Sequence, residues 1–317
     1  MKILVTGGCG YKGTVLVPKL LDLGHEVTVV DIMWFGNFLP DHPRLTVLAV
    51  DVRNLAEVPL SGVETIIHLA SVANDPCSDL DPKLTWEISA LATMQLADAA
   101  VRQGIKQFIY ASSGSVYGVK EEAQVTEDLT LEPISEYNKT KMVAERVLLS
   151  YRDQILVQII RPATVCGCSP RMRLDVAVNI LTMQALTKGE ITVLGGDQVR
   201  PNIHIQDITD VYCYLLERGD QLEGVYNAGF ENLSILEIAQ RVAQRIPAEI
   251  RVVESQDPRS YRVNSDKLLA TGYRPQKTVD DAIDELVAAY RDGHLVEHDR
   301  FHNLRWMQRS LSEPALA

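Results

Sequence analysis

Apolar positions along the chain fall into short blocks separated by polar punctuation. KILVT at 2–6 reads as a buried strand, and a helical spacing of apolar residues follows from about Tyr11 to Leu23. Similar blocks recur at 26–30 (EVTVV), 45–50 (LTVLAV), 64–70 (ETIIHLA), 106–112 (KQFIYAS) and 155–160 (ILVQII), with helical patterns at about 81–103 and 136–152. Strands alternating with helices predict an α/β fold whose parallel sheet is covered on both faces. After Arg161 and Pro162 the alternation weakens and Gly, Pro and Arg become frequent, predicting a second, smaller lobe with loops over the strand ends. GVYNAGF at 224–230 reads as a late strand returning to the main sheet, and no internal repeat interrupts the pattern.

Composition narrows the setting. The chain has 317 residues, 46% of them hydrophobic, without an apolar run long enough to span a bilayer. The N-terminus enters the first strand directly, so no signal peptide is expected and the expected location is cytoplasmic. Five cysteines (Cys9, Cys77, Cys166, Cys168 and Cys213) show no paired spacing, which fits a reducing compartment and predicts neither disulfides nor a metal site. A net charge of −11 argues against nucleic acid or an anionic membrane as the partner.

The chemistry begins at TGGCGYKG, residues 6–13, between the first strand and the first helix. Gly7 allows the turn, Gly10 lets backbone N–H groups approach a pyrophosphate, and Gly13 permits close packing of helix on strand. The second strand ends in Asp31, about eighteen residues beyond the third glycine, where an acid bonds the adenosine 2′-hydroxyl and favours NAD over NADP. Tyr137 and Lys141, in EYNKTK, lie four apart, which puts both side chains on one face of a helix. A nearby ammonium lowers a phenol's pKa by about one to three units, towards a usable base. Lys139, two residues from Tyr137, points elsewhere.

The T-G-x-x-G-x-x-G loop and the ordered motifs DVR (51–53), HLAS (68–71), SSGSVYG (112–118), YNKTK (137–141), RPATVCG (161–167) and RPNIHIQD (200–207) together resemble an extended short-chain dehydrogenase/reductase of the NAD-dependent epimerase/dehydratase group. The resemblance spans about residues 1–290 and implies a Rossmann-type doubly wound sheet. Its expected division is an NAD-binding domain over 1–165 joined by the late strand, an interleaved substrate lobe over 166–299, and a tail over 300–317. It implies Ser113, Tyr137 and Lys141 as catalytic residues, with Tyr137 as the base and Lys141 also on the nicotinamide ribose. NAD would be held by Gly7, Gly10, Tyr11, Lys12, Gly13, Asp31, Asp51, Val52, Leu69, Ala70 and Ser71 as well. A nucleotide-diphosphate sugar would meet Ser115, Thr164, Arg173, Arg200 and Arg259, since arginine's planar fork suits a diphosphate. Arg161 and Arg171 are further candidate phosphate donors. A homodimer packed through helices 81–103 and 136–152 is also implied.

Dehydratases of this group carry an acid just after the serine or threonine, whereas this chain has Gly114 and Ser115. C4 epimerisation through a transient 4-keto sugar is therefore expected. The alternative is a C4 dehydrogenase or reductase of a GDP-linked sugar, which SPRMRLDVAVN at 169–179 resembles; a 4,6-dehydratase or a non-catalytic NAD-binding regulator stands further off. Thr164, Ser89 and Pro201 depart from the asparagine, asparagine and aspartate usual at their positions, which bears on the sugar rather than on NAD.

Overall fold

The computed structural model describes residues 1–254 and 260–312. Its main sheet uses β1 (Lys2–Thr6), β2 (Glu26–Asp31), β3 (Leu45–Ala49), β4 (Thr65–His68), β5 (Gln107–Ala111), β6 (Leu156–Pro162) and, much later, β10 (Gly224–Ala228). They run parallel in the order β10-β6-β5-β4-β1-β2-β3. Strand order reverses between β1 and β4, and the crevice beyond their carboxyl ends is where such sheets take ligands. The central strands are buried on both faces, as strands of a parallel sheet covered by helices must be: β4 and β5 are buried along their whole length.

Between β6 and β10 the chain leaves the sheet. β7 (Thr164–Cys166) and β9 (Val199–His204) pair in parallel, β11 (Glu231–Ser234) joins β9 antiparallel, and β8 (Glu190–Leu194) pairs with β12 (Glu249–Val253). Helices Ala177–Lys188, Ile235–Arg245 and Val279–Arg291 close a core of their own around Val178, Ile191, Val193, Ile238, Val242 and Ile283. Among the described residues, no helix is long and apolar enough to cross a membrane.

Helix Glu136–Ser150 starts at Ser135, whose side chain accepts from Asn138 N. Its inward stripe, Lys141, Ala144, Glu145 and Leu148, mixes apolar and charged residues. Both charges are satisfied: Lys141 Nζ donates to Ala111 O at 2.7 Å, and Glu145 accepts from Ser112 Oγ and from Arg161. The helical run over 82–102 carries a π-helical segment, Glu87–Leu91, at Ser89. Ser89 Oγ there accepts from Val72 N at 3.2 Å, just past the HLAS turn.

His68 at the end of β4 is fully buried. Thr93 Oγ1 gives its proton to Ser89 O, so it accepts from His68 Nε2, and Nδ1 accepts from Thr6 Oγ1. Burial, with Lys141 adding repulsion, depresses this imidazole to about 3. Since the unfolded chain takes up a proton that the folded one refuses, this stability is complete above the ordinary histidine range and is lost as pH falls from about 6.5 towards 3. The expected slope is about 1.4 kcal/mol per pH unit. Urea melts at pH 6.5 and 5 should therefore lose about 1–2 kcal/mol more for the native chain than for His68→Asn. Equal losses would remove His68 as the cause.

Candidate active site

The turn after β1 sets the geometry. Gly7 has φ +72°, and a Cβ there would meet Ala70 N at 2.6 Å; a Cβ on Gly13 would meet Gly8 O at 2.3 Å. Both positions therefore exclude side chains. At Gly10 a Cβ would meet only Gly7 O, at 3.2 Å, so the loop is open on the side where a phosphate approaches the start of helix Gly13–Asp22. The HLAS turn lies alongside, with Leu69 N donating to Thr6 O at 2.9 Å and Ala70 N to Thr6 Oγ1 at 3.4 Å.

These turns wall one end of a cavity of about 510 Å³. Gly7, Gly10, Tyr11, Lys12, Gly13, Asp31, Asp51, Val52, Leu69, Ala70 and Ser71 all line it. So do Ser113, Tyr137 and Lys141, together with Ser115, Thr164, Arg173 and Arg200. Arg259 lies outside the described residues. Asp31 closes β2 and receives Cys9 N at 2.9 Å and Met33 N at 2.7 Å, while burial raises its pKa against those two bonds. Asp51 is gripped by Arg53 through Nε and Nη2. Tyr11 puts its hydroxyl into structural work, donating to Gly167 O and accepting from Asn179 Nδ2. Only the rest of the residue is left to the loop.

At the other end, Ser113 caps the short helix Gly114–Tyr117, and its Oγ lies 2.7 Å from Ser115 Oγ, which donates to Asn138 Oδ1. Tyr137 sits in the first turn of helix Glu136–Ser150, and Lys141 Nζ lies 5.9 Å from its ring centroid and 4.9 Å from that of Tyr110. Lys139 pairs outward with Glu136 at 2.8 Å. The phenol's acidity differs from the sequence expectation. Burial raises the Tyr137 pKa, a hydrogen bond with Ser113 pulls it down, and the Asp75 carboxylate pushes it up. Lys141 is buried and spends its ammonium on Ala111 O; burial first, then Lys12, holds its own pKa well below the usual lysine range. Desolvation outweighs the neighbouring cation.

Two arginines expected near phosphate part ways. Arg161 is locked in a buried pair with Glu145 and does not line the cavity, whereas Arg171 does. Arg173 is paired with Asp175 through Nε (2.9 Å) and Nη2 (3.1 Å). His204 caps helix Ile205–Arg218 and donates to Glu285; Asp207 receives Gln276 N and Lys277 N. Neither lines the cavity. Trp34, Phe35, Asp75, Asp175 and Asn303 line it without having been anticipated. Asn303 bonds Arg171 across 132 residues, a contact that carries no local pattern.

An open glycine loop at a helix start, a buried acid at the end of β2 and a buried Arg171 whose Nε has no protein partner fit the phosphates and ribose of a dinucleotide. The chain matches the family model "NAD dependent epimerase/dehydratase family" over residues 3–229. A UDP-glucose 4-epimerase of Corynebacterium glutamicum is 28% identical over 88% of this chain and 92% of its own length. The UDP-glucuronic acid 4-epimerase of Bacillus cereus, solved with UDP-glucuronic acid and NAD, superposes with a TM-score of 0.79 at 28% identity, covering 92% of this chain and all of that one. The NAD-dependent NDP-hexosamine 5,6-dehydratase TunA gives a TM-score of 0.83 at 27% identity over 92% of this chain and 98% of its own. This chain belongs to the NAD-dependent epimerase/dehydratase family and is an NAD-dependent enzyme.

Proposed function

We propose that the protein epimerises a nucleotide-diphosphate sugar at C4 through a transient 4-keto sugar, with Tyr137 as the base. The observation that carries this reading is the meeting of Ser113, Tyr137 and Lys141 at one end of a cavity whose other end is the glycine loop and Asp31. Two positions of the serine turn support epimerisation over dehydration: Gly114 and Ser115 offer no carboxyl group to expel water. Similarity to the two 4-epimerases points the same way.

When bound, NAD supplies the hydride acceptor and donor. Tyr137 takes the proton of the sugar hydroxyl at its phenolic oxygen and later returns it. Ser113, steadied by Ser115 and Asn138, bonds the same sugar oxygen. Lys141, anchored on Ala111 O with its Nζ 5.9 Å from the Tyr137 ring centroid, would hold the nicotinamide ribose. Arg173 and Arg200, with Thr164, take the substrate's diphosphate side. The domain division at 165 and 299 belongs to the same reading.

Incubation with UDP-, GDP-, dTDP- and CDP-sugars, following NADH absorbance and product identity, tests it. A C4-inverted sugar without net NADH is expected. Net NADH would make the protein a C4 dehydrogenase, and a 4-keto-6-deoxy product would make it a dehydratase. The proposal includes a homodimer, for which Trp86, Leu91 and Met94 leave exposed apolar side chains on the helical run over 82–102. Light scattering on the same sample at micromolar concentration reads it, and a monomer would remove it.

A further inference from the structure

The chain beyond residue 290 returns to the cofactor half of the cavity. Leu174 N donates to Phe301 O at 2.8 Å, and Asn303 N donates to Asp175 Oδ2 at 3.2 Å. Trp306 Nε1 donates to Trp34 O, and Met307 is buried in the same core as Trp34, Phe35 and Leu304. The receiving loop is aimed by Met33, whose φ of +58° turns the chain sharply after Asp31. Residues 299–312 thus lie across the segment that leaves the acid of β2.

Arg171 stands between this C-terminal segment and the glycine loop. Its side chain is 1% exposed, with its guanidinium 3.9 Å from the Phe35 ring centroid. Nη2 donates to Asn303 Oδ1 at 2.6 Å and Nη1 to Met172 O at 3.3 Å, but Nε has no partner. Its backbone N donates to Thr14 Oγ1 at 3.4 Å, next to the helix that starts at Gly13. The carboxylates whose charge acts on it, Asp175 and Asp31, are not among its ion-pair partners, and Asp175 is committed to Arg173. A buried guanidinium with an idle donor, lining a cavity beside a phosphate-accepting loop, lacks an anion.

We propose that Arg171 is a cofactor-binding residue that donates Nε–H to a phosphate oxygen of NAD, and that residues 299–312 are a strap that holds it there and retains the dinucleotide between turnovers. Burial first, then Arg173, brings the Arg171 guanidinium down to about 9, a cost that an arriving phosphate offsets. The inference rests on NAD as the family's cofactor. It is independent of which sugar reaction follows.

The test is the rate at which bound NADH leaves, read by stopped-flow fluorescence with excess NAD as the chase and with no sugar present. Arg171→Met should speed release about tenfold to a hundredfold, as expected for a lost bond to a charged group. Trp306→Phe keeps an aromatic ring but drops the bond to Trp34 O, and should speed release about fivefold. If Arg171→Met fails to fold, Asn303→Ala, which frees the guanidinium, and Trp306→Phe decide the matter. Folded variants that release NADH within twofold of the native rate would overturn the proposal. So would an Arg171→Met protein that loses affinity for UDP while keeping its NADH release rate, which would assign the arginine to the substrate. Because no sugar is present, either result leaves the epimerase reading to its own panel.

Discussion

Tyr137→Phe is expected to fold and bind NAD like the native protein while turnover falls by about 10²- to 10⁴-fold, the usual contribution of a positioned general base. The substitution removes one oxygen from a half-buried ring and leaves the ring's packing and the Lys141 contact to Ala111 O intact. Ser113 retains its contacts with Ser115, so its hydroxyl does not become an unpaired buried group. Thermal shift with NAD reports the binding, and product formation reports the chemistry. Because burial raises the phenol's pKa, the native enzyme should gain turnover with rising pH as the base form fills, and the phenylalanine variant should show no such limb. Turnover within tenfold of native, with the same pH profile, would remove Tyr137 as the base.

Arg161→Met is expected to cost about 3–5 kcal/mol of stability, measured by denaturant unfolding, because it strands a buried carboxylate. Arg161 Nε lies 3.0 and 3.2 Å from the two Glu145 oxygens, and Nη2 lies 2.7 Å from Oε2. Nη1 donates to Tyr117 Oη at 2.7 Å and to Glu127 O at 3.2 Å. The two side chains are 5% and 1% exposed, so water cannot replace the lost donors. Removing both charges together, in Arg161→Met with Glu145→Leu, should recover at least half of the loss, since an apolar pair of similar volume is often no less stable than a buried ion pair. A single variant within 1 kcal/mol of native would show that Glu145 finds other partners.

The readable part of this protein was the part built on short periods. The strands before residue 160 follow from apolar blocks and end within about two residues of expectation, because each block is longer than its boundary error. The spacing of four that joins Tyr137 to Lys141 needed only a helix with a capping serine ahead of it. Arg161 was harder. Nothing near RPATVCG shows that Glu145, on the preceding helix, packs against Arg161, so a structural arginine looks the same as a phosphate ligand. The acidity of Tyr137 departs from its sequence pattern for a related reason: charge sign is visible in a sequence, but the burial that outweighs it is not. Asn303 meets Asp175, and Trp306 meets Trp34, only because the tail folds back over more than a hundred residues, a juxtaposition without a local signature.

The late seventh strand has a consequence for synthesis. β6 carries buried side chains on both faces, and among the described residues its outer edge pairs with β10, which leaves the ribosome about sixty residues later. A nascent chain that has reached the middle of the 166–223 excursion therefore presents an open, apolar strand edge to whatever is nearby. Asn227 closes that interval, seating Tyr117 Oη on its Oδ1 and Val125 O on its Nδ2, so the edge is sealed and the buried charge network is completed by the same few residues.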